Sequence, residues 1–204
     1  ELPQAKLLQL TGRQTLLFVA IGMGMWAFTG RAVAGFVTVD LRQIALGLGI
    51  AAIMIALGYV LFRGFPRFGE KLVRDQRQQF AFLKNPLGPA GIVFIAACAG
   101  IGEEALFRGG VMVLIDHYAP FAAALVISAS VFTVIHFARP VVASLIFGIG
   151  VAFGLIYWAS GSLLAVMIAH WVYDIWALWF IQTEMHRLGV FEEEPATQLE
   201  PTGE

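Results

Sequence analysis

Nineteen consecutive residues, Ile44 to Phe62, carry no charged side chain. A run of that length is enough to cross the hydrocarbon core of a bilayer as a helix, and a soluble domain has no place to put it. The rest of the chain repeats the pattern. Of 204 residues, 59% are hydrophobic and 13% charged, against roughly a quarter charged in an ordinary soluble domain. The sequence therefore predicts an all-α, polytopic transmembrane helix bundle of about six spans.

The expected spans follow the apolar runs. The first covers about Thr15 to Val39, interrupted by Arg31, and the second Ile44 to Phe62. Between Arg63 and Pro89 six basic residues alternate with aromatic ones, which suits an amphipathic segment at the headgroups. A third span runs from Ala90 to about Ile115, a fourth from Phe121 to Phe137, a fifth from Val141 to Trp158 and a sixth from Leu163 to Ile181. This divides the chain into 1–89, two spans with the basic segment; 90–182, a helical core; and 183–204, an acidic tail that reads as disordered. Lys and Arg concentrate on one side of this arrangement, which places both termini in the cytoplasm. The one cysteine, Cys98, lies in an apolar run and reads as a packing residue. Gly148, Gly150 and Gly154 read as close-packing positions, the last two at small-xxx-small spacing. Nothing suggests a nucleic-acid partner. The bilayer is the expected surrounding.

Ionisable side chains inside a span cost about 2.5–3.5 kcal/mol each on insertion scales, so three in one helix require a reason. Glu103, Glu104 and Arg108 are those three. Glu104 and Arg108 stand four apart on one face and can pair. Glu103 points about 100° away from that face and is the freer carboxylate. A structural ion pair beside a buried glutamate explains this helix as well as a catalytic one does. Two further helices tilt the balance: His136 ends the fourth span, and the sixth carries His170 and Asp174 on one face. At about 1.5 Å rise per residue, all of these fall at overlapping depths in the inner half of the bilayer.

Glu103-Glu104-Ala105-Leu106-Phe107-Arg108, then Phe132 to His136, then His170-Trp171-Val172-Tyr173-Asp174 resembles the motif series of the CPBP or ABI intramembrane proteases, which include the type II CAAX prenyl endopeptidases. The resemblance covers about Pro89 to Ile181. It implies an intramembrane endopeptidase in which Glu103, assisted by His136, activates a water for attack on a peptide carbonyl near the cytoplasmic face. Glu104 and Arg108 would support that geometry, and His170 with residue 174 would stabilise the oxyanion. Where this chain has Asp174, family members also have Asn, and an ionised Asp cannot donate to an oxyanion. Asp174 is therefore expected to orient His170 and stabilise its protonated form, or to ligate a metal. The resemblance leaves two chemistries open: a metal-free glutamate protease, favoured here, or one divalent ion such as zinc held by Glu103, His136 and His170. The implied partner is a peptide or protein substrate at the membrane, prenylated or not. The rivals are a proton-coupled transporter or relay and a non-catalytic relative acting as a binding or immunity factor.

Overall fold

The computed structural model describes residues 3–192, so most of the tail expected over 183–204 lies outside the described residues, while its first residues are not disordered but continue the last helix to Arg187. Within them the chain forms seven helices and no strand: α1 Gln4–Phe28, α2 Leu41–Gly64, α3 Pro66–Asp75, α4 Pro89–Tyr118, α5 Phe121–Val134, α6 Pro140–Ser160 and α7 Leu163–Arg187. Four of them, α2, α4, α6 and α7, are long and apolar enough to cross a membrane. The chain is an integral membrane protein.

The helix ends obey local chemistry. Pro66, Pro89 and Pro140 open their helices at the position where a missing N–H costs nothing. Asp40 caps α2 by accepting from the Arg42 N–H at 2.9 Å, and Ser162 caps α7 by accepting from Ala165 at 3.0 Å. Gly161, at φ 63°, ends α6. The first apolar stretch departs from expectation. The helix starts earlier, at Gln4, and stops at Phe28 because Gly30 turns the chain at φ 81°; residues up to Val39 form a loop with one 3-10 turn, Val33–Gly35. Helix α5 also stops three residues short of the expected Phe137. Phe137 sits in the left-handed region at φ 47°, and Arg139, the residue before Pro140, is extended. The basic segment is helical only in α3, followed by a 3-10 turn at Ala81–Lys84.

Helix α7 is central, packed by α4 on one side and α2 on the other, while α5 pairs with α6 and α1 lies against α4. Glycines set the closest approaches. A Cβ on Gly100 of α4 would come within 2.6 Å of the Trp171 backbone nitrogen, so the two main chains touch beside His170. A Cβ on Gly22 of α1 would collide with the carbonyl oxygen of Ala105. Gly154 packs on Leu125 and Gly150 on Ala129 and Phe132, as their spacing predicts. Gly148 does not fit that reading: a side chain there would meet nothing within 4 Å. It is on the open face of α6, a third of a turn or more from its two neighbours. Cys98 is buried and unpaired, as expected of a packing residue.

Candidate active site

Helix α4 changes gauge where its charges begin. Directly after Glu104, residues Ala105–Met112 wind as a π-helix, which lies buried for most of its length. Wider π turns are common at functional sites because they re-aim side chains without ending a helix. Ser128 of α5 donates to the Phe107 carbonyl at 3.0 Å, tying a main-chain oxygen of the wide turn to its neighbour. No feature of the sequence announced this segment, since the spacing of apolar residues across it remains helical.

Glu104 and Arg108 form the expected pair, Nη1 to Oε1 at 2.9 Å, at 0% and 1% exposure. Their burial is compensated by more than each other. Arg108 Nη2 donates to the Gly150 carbonyl of α6 at 2.9 Å, and the guanidinium lies over the rings of Phe132 and Phe153, 4.7 and 5.6 Å from their centroids. On the far side, Oε1 of Glu104 also receives His170 Nδ1 at 2.9 Å. The other carboxylate oxygen, Oε2, is buried without a partner among the described residues.

Glu103 faces the other way, into a cavity of about 370 Å³ that it lines together with His136, His170 and Asp174. Its Oε2 stands 3.9 Å from Nε2 of His136 and 3.9 Å from Nε2 of His170. His136 lies just beyond the end of α5, and its Nδ1 is 2.6 Å from the Phe132 carbonyl. A carbonyl only accepts, so Nδ1 carries the proton and Nε2, toward Glu103, is left to accept in the neutral ring. Nε2 of His170 lies 3.4 Å from Oδ2 of Asp174. All six residues singled out in the sequence, Glu103, Glu104, Arg108, His136, His170 and Asp174, thus come together. Those the sequence did not reveal are Gly150, through its carbonyl, and Phe153, together with the stacking role of the motif residue Phe132.

Among the described residues no set of three His, Cys, Asp or Glu side chains is disposed to hold an ion. Neighbouring ligands of a tetrahedral zinc with bonds of about 2.0–2.1 Å are about 3.3 Å apart, whereas Glu103 is 3.9 Å from each histidine. The residues as placed do not fit such an ion.

Toward the end of the membrane where α2 and α7 finish, the cavity is walled by aliphatic and aromatic side chains and reaches Gln76, Phe80 and Phe82 of the segment after α3. Helix α7 fastens that segment. Gln182 accepts from the Leu87 N–H at 2.8 Å and donates to its carbonyl at 3.2 Å, and His186 Nε2 meets the Leu83 carbonyl at 2.9 Å.

Comparison with known proteins adds one match. Residues 85–176 fit the family model described as type II CAAX prenyl endopeptidase Rce1-like, whereas no curated protein and no solved structure matches the chain. The matched stretch opens just ahead of α4 and closes two residues after Asp174, so it contains every residue of the cluster. Through the helices that carry its buried carboxylates and histidines, the stretch 85–176 is similar to the Rce1-like type II CAAX prenyl endopeptidase family.

Proposed function

We propose that the protein is an intramembrane endopeptidase in which Glu103 acts as the base toward a hydrolytic water. The observation that carries this reading is the placement of Glu103 Oε2 at 3.9 Å from each of two histidine Nε2 atoms. One water can bridge atoms at that separation through hydrogen bonds of about 2.7–3.0 Å. Glu103 and the bare Nε2 of His136 both accept from it, aiming its remaining lone pair outward into the cavity.

The chemistry balances on these groups. The water oxygen bonds to the peptide carbonyl carbon as its proton passes to Glu103. The carbonyl π pair moves onto oxygen, where His170 as an N–H donor opposes the charge. Collapse of the intermediate breaks the C–N bond, and the proton held by Glu103 goes to the departing amine. Asp174 at 3.4 Å orients the His170 ring. Glu104 and Arg108 position that ring and stay out of the proton path. The apolar walls suit a substrate that brings a hydrophobic chain, prenyl or other, while the site itself lies within reach of the polar segment after α3.

Topology is part of the same reading. With α1 and α5 completing six crossings, Lys84 and Arg187 face the cytoplasm and His117 the opposite side; reporter fusions at these three places should read in, in and out. Helix α5 has 14 residues, about 21 Å, which is shorter than the roughly 30 Å core. His136 accordingly meets its partners below the membrane surface. The deciding experiment is Glu103→Gln, which keeps the shape and removes the proton acceptor. Purified in detergent, this variant should fold like the parent and cleave no peptide; a folded variant that still cleaves refutes the assignment.

A further inference from the structure

The cavity that ends at Glu103 has a neighbour. A second groove of about 820 Å³ lies between the ends of α2 and α7, on the outer flank of the bundle. The two spaces share three walls, the side chains of Phe62, Trp176 and Phe180. These rings form a row: Phe62 and Phe180 are 4.5 Å apart between centroids, and Phe180 and Trp176 are 5.3 Å apart and nearly parallel. All three are half-buried, as befits a partition with open space on both sides.

Their seating is specific. A Cβ on Gly58 would stand 2.6 Å from the Trp176 ring, and one on Gly69 would collide with Phe62, so two glycines make the hollows in which two of the rings rest. Packing, not hydrogen bonding, holds Trp176 in the row. Trp176 makes no hydrogen bond among the described residues, in contrast to Trp171, whose indole N–H donates to the Val93 carbonyl at 3.3 Å. Opening the row therefore breaks ring packing and no side-chain hydrogen bond of Trp176. The outer groove has the character of a bilayer boundary. Tyr59 and Trp179 are 53% and 56% exposed, and the rim carries Arg63, Glu70, Glu184 and Arg187, charges that belong at headgroup depth.

We propose that Phe62, Trp176 and Phe180 form a lateral gate through which the apolar chain of a bilayer-anchored substrate passes sideways from the α2–α7 groove toward Glu103. The three rings then act as specificity-determining residues, admitting substrates already in the membrane and holding its lipids out of the closed site. What the gate serves rests on the peptidase reading; that it opens does not.

The test reads access, and so is independent of turnover. Ala99 lines the inner cavity one turn before Glu103. In the full chain carrying Cys98→Ala and Ala99→Cys, in liposomes, labelling is followed with a bilayer-confined lipophilic maleimide and with a polar maleimide supplied from water. Trp176→Ala should raise the lipophilic rate about three- to ten-fold, the shift in an opening equilibrium expected from losing one ring–ring contact. The polar rate should stay unchanged. Phe180→Leu should act in the same direction to a smaller extent, and it decides the matter if Trp176→Ala does not fold. Unchanged lipophilic labelling in the folded variants overturns the gate, as does an equal rise for both reagents, which marks a loosened bundle. If labelling behaves as expected but the parent protein cleaves neither anchored nor free peptides, the gate stands and the peptidase reading falls.

Discussion

His170 Nδ1 lies 2.9 Å from Oε1 of Glu104, the same oxygen that accepts from Arg108. A carboxylate on α4 thereby fixes the ring on α7 whose opposite edge faces Glu103. Glu104→Gln breaks this junction at two points and leaves Arg108 uncompensated. Removing one partner of a buried pair typically costs about 3–5 kcal/mol. We expect a markedly lower melting temperature in detergent as well as lost cleavage. Glu103→Gln, changed at the edge of the cavity, should lose cleavage alone, and thermal melts of the two variants side by side measure the difference.

The histidines should behave as parts of one device. His136→Ala and His170→Ala are each expected to lower cleavage about 10²–10⁴-fold. Adding either to Glu103→Gln should cost little more, because residues acting on one proton transfer are not additive. Strong chelators should leave the parent protein active, and elemental analysis should find no stoichiometric zinc. Loss of turnover on chelation, restored by added metal, would replace the carboxylate mechanism with a metal-assisted one.

Much of the cluster was legible because charge is conspicuous where water is absent. Glu103, Glu104 and Arg108 stand out in α4 against an apolar background, and the four-residue spacing of Glu104 and Arg108 gave their pairing directly. The rest was not, for a physical reason. Arg108 spends its second nitrogen on the carbonyl of Gly150, and a main-chain oxygen leaves no mark in a sequence. The ring of Phe153 looks like any other apolar side chain, and Phe132, although it opens a motif, shows no role for its ring, until the guanidinium is found over both. The π turn is similarly silent. In the fold, the apolar run continues past the end of α1 because Gly30 breaks the helix within it, and hydropathy does not register a turn.

Helix α1 lies outside the matched family stretch, yet it bears directly on the site through Gly22, which abuts the Ala105 carbonyl at the start of the π turn. Gly22→Ala must push the two main chains apart. Overpacking of this kind costs about 1–3 kcal/mol, and the displacement falls next to Glu104. Reduced thermal stability and slower cleavage are expected together. Gly24→Ala is the control, since a side chain there meets nothing within 4 Å; if both variants melt alike, α1 has no such role.

At the membrane surface, Asp75 bridges Lys71 and Arg139, each at 2.6 Å, and so links α3 to the start of α6. Lys71 first, and then Arg139, hold its carboxyl below the ordinary range. A carboxyl whose folded value is depressed contributes stability above its unfolded pKa of about 3.9 and loses it as the pH falls through the folded value. The melting temperatures of the parent and Asp75→Asn should therefore differ by a constant, small amount from neutrality to about pH 5 and converge in stronger acid. Salt should narrow the gap, because the pair is open to solvent. A gap that widens on acidification would contradict the sign.

Arg108 touches more of the bundle than its pairing suggests. From α4 it reaches the Phe132 ring of α5, the carbonyl of Gly150 and the Phe153 ring of α6, and, by way of Glu104, His170 of α7. Lipid tails are as apolar as the helices they surround, so burial alone gives four such helices little reason to associate. Cohesion then comes from close packing at the glycines and from a few polar groups, and here a single cation is shared by the whole quartet. Lysine could not replace it, lacking the flat, two-armed head that bonds in two directions while lying between rings. The same atoms that align Glu104 and His170 thus also join the helices around them. Losing this arginine should therefore cost the bundle stability, on the order of the 3–5 kcal/mol typical of a broken buried pair, and the alignment of His170 at the same stroke.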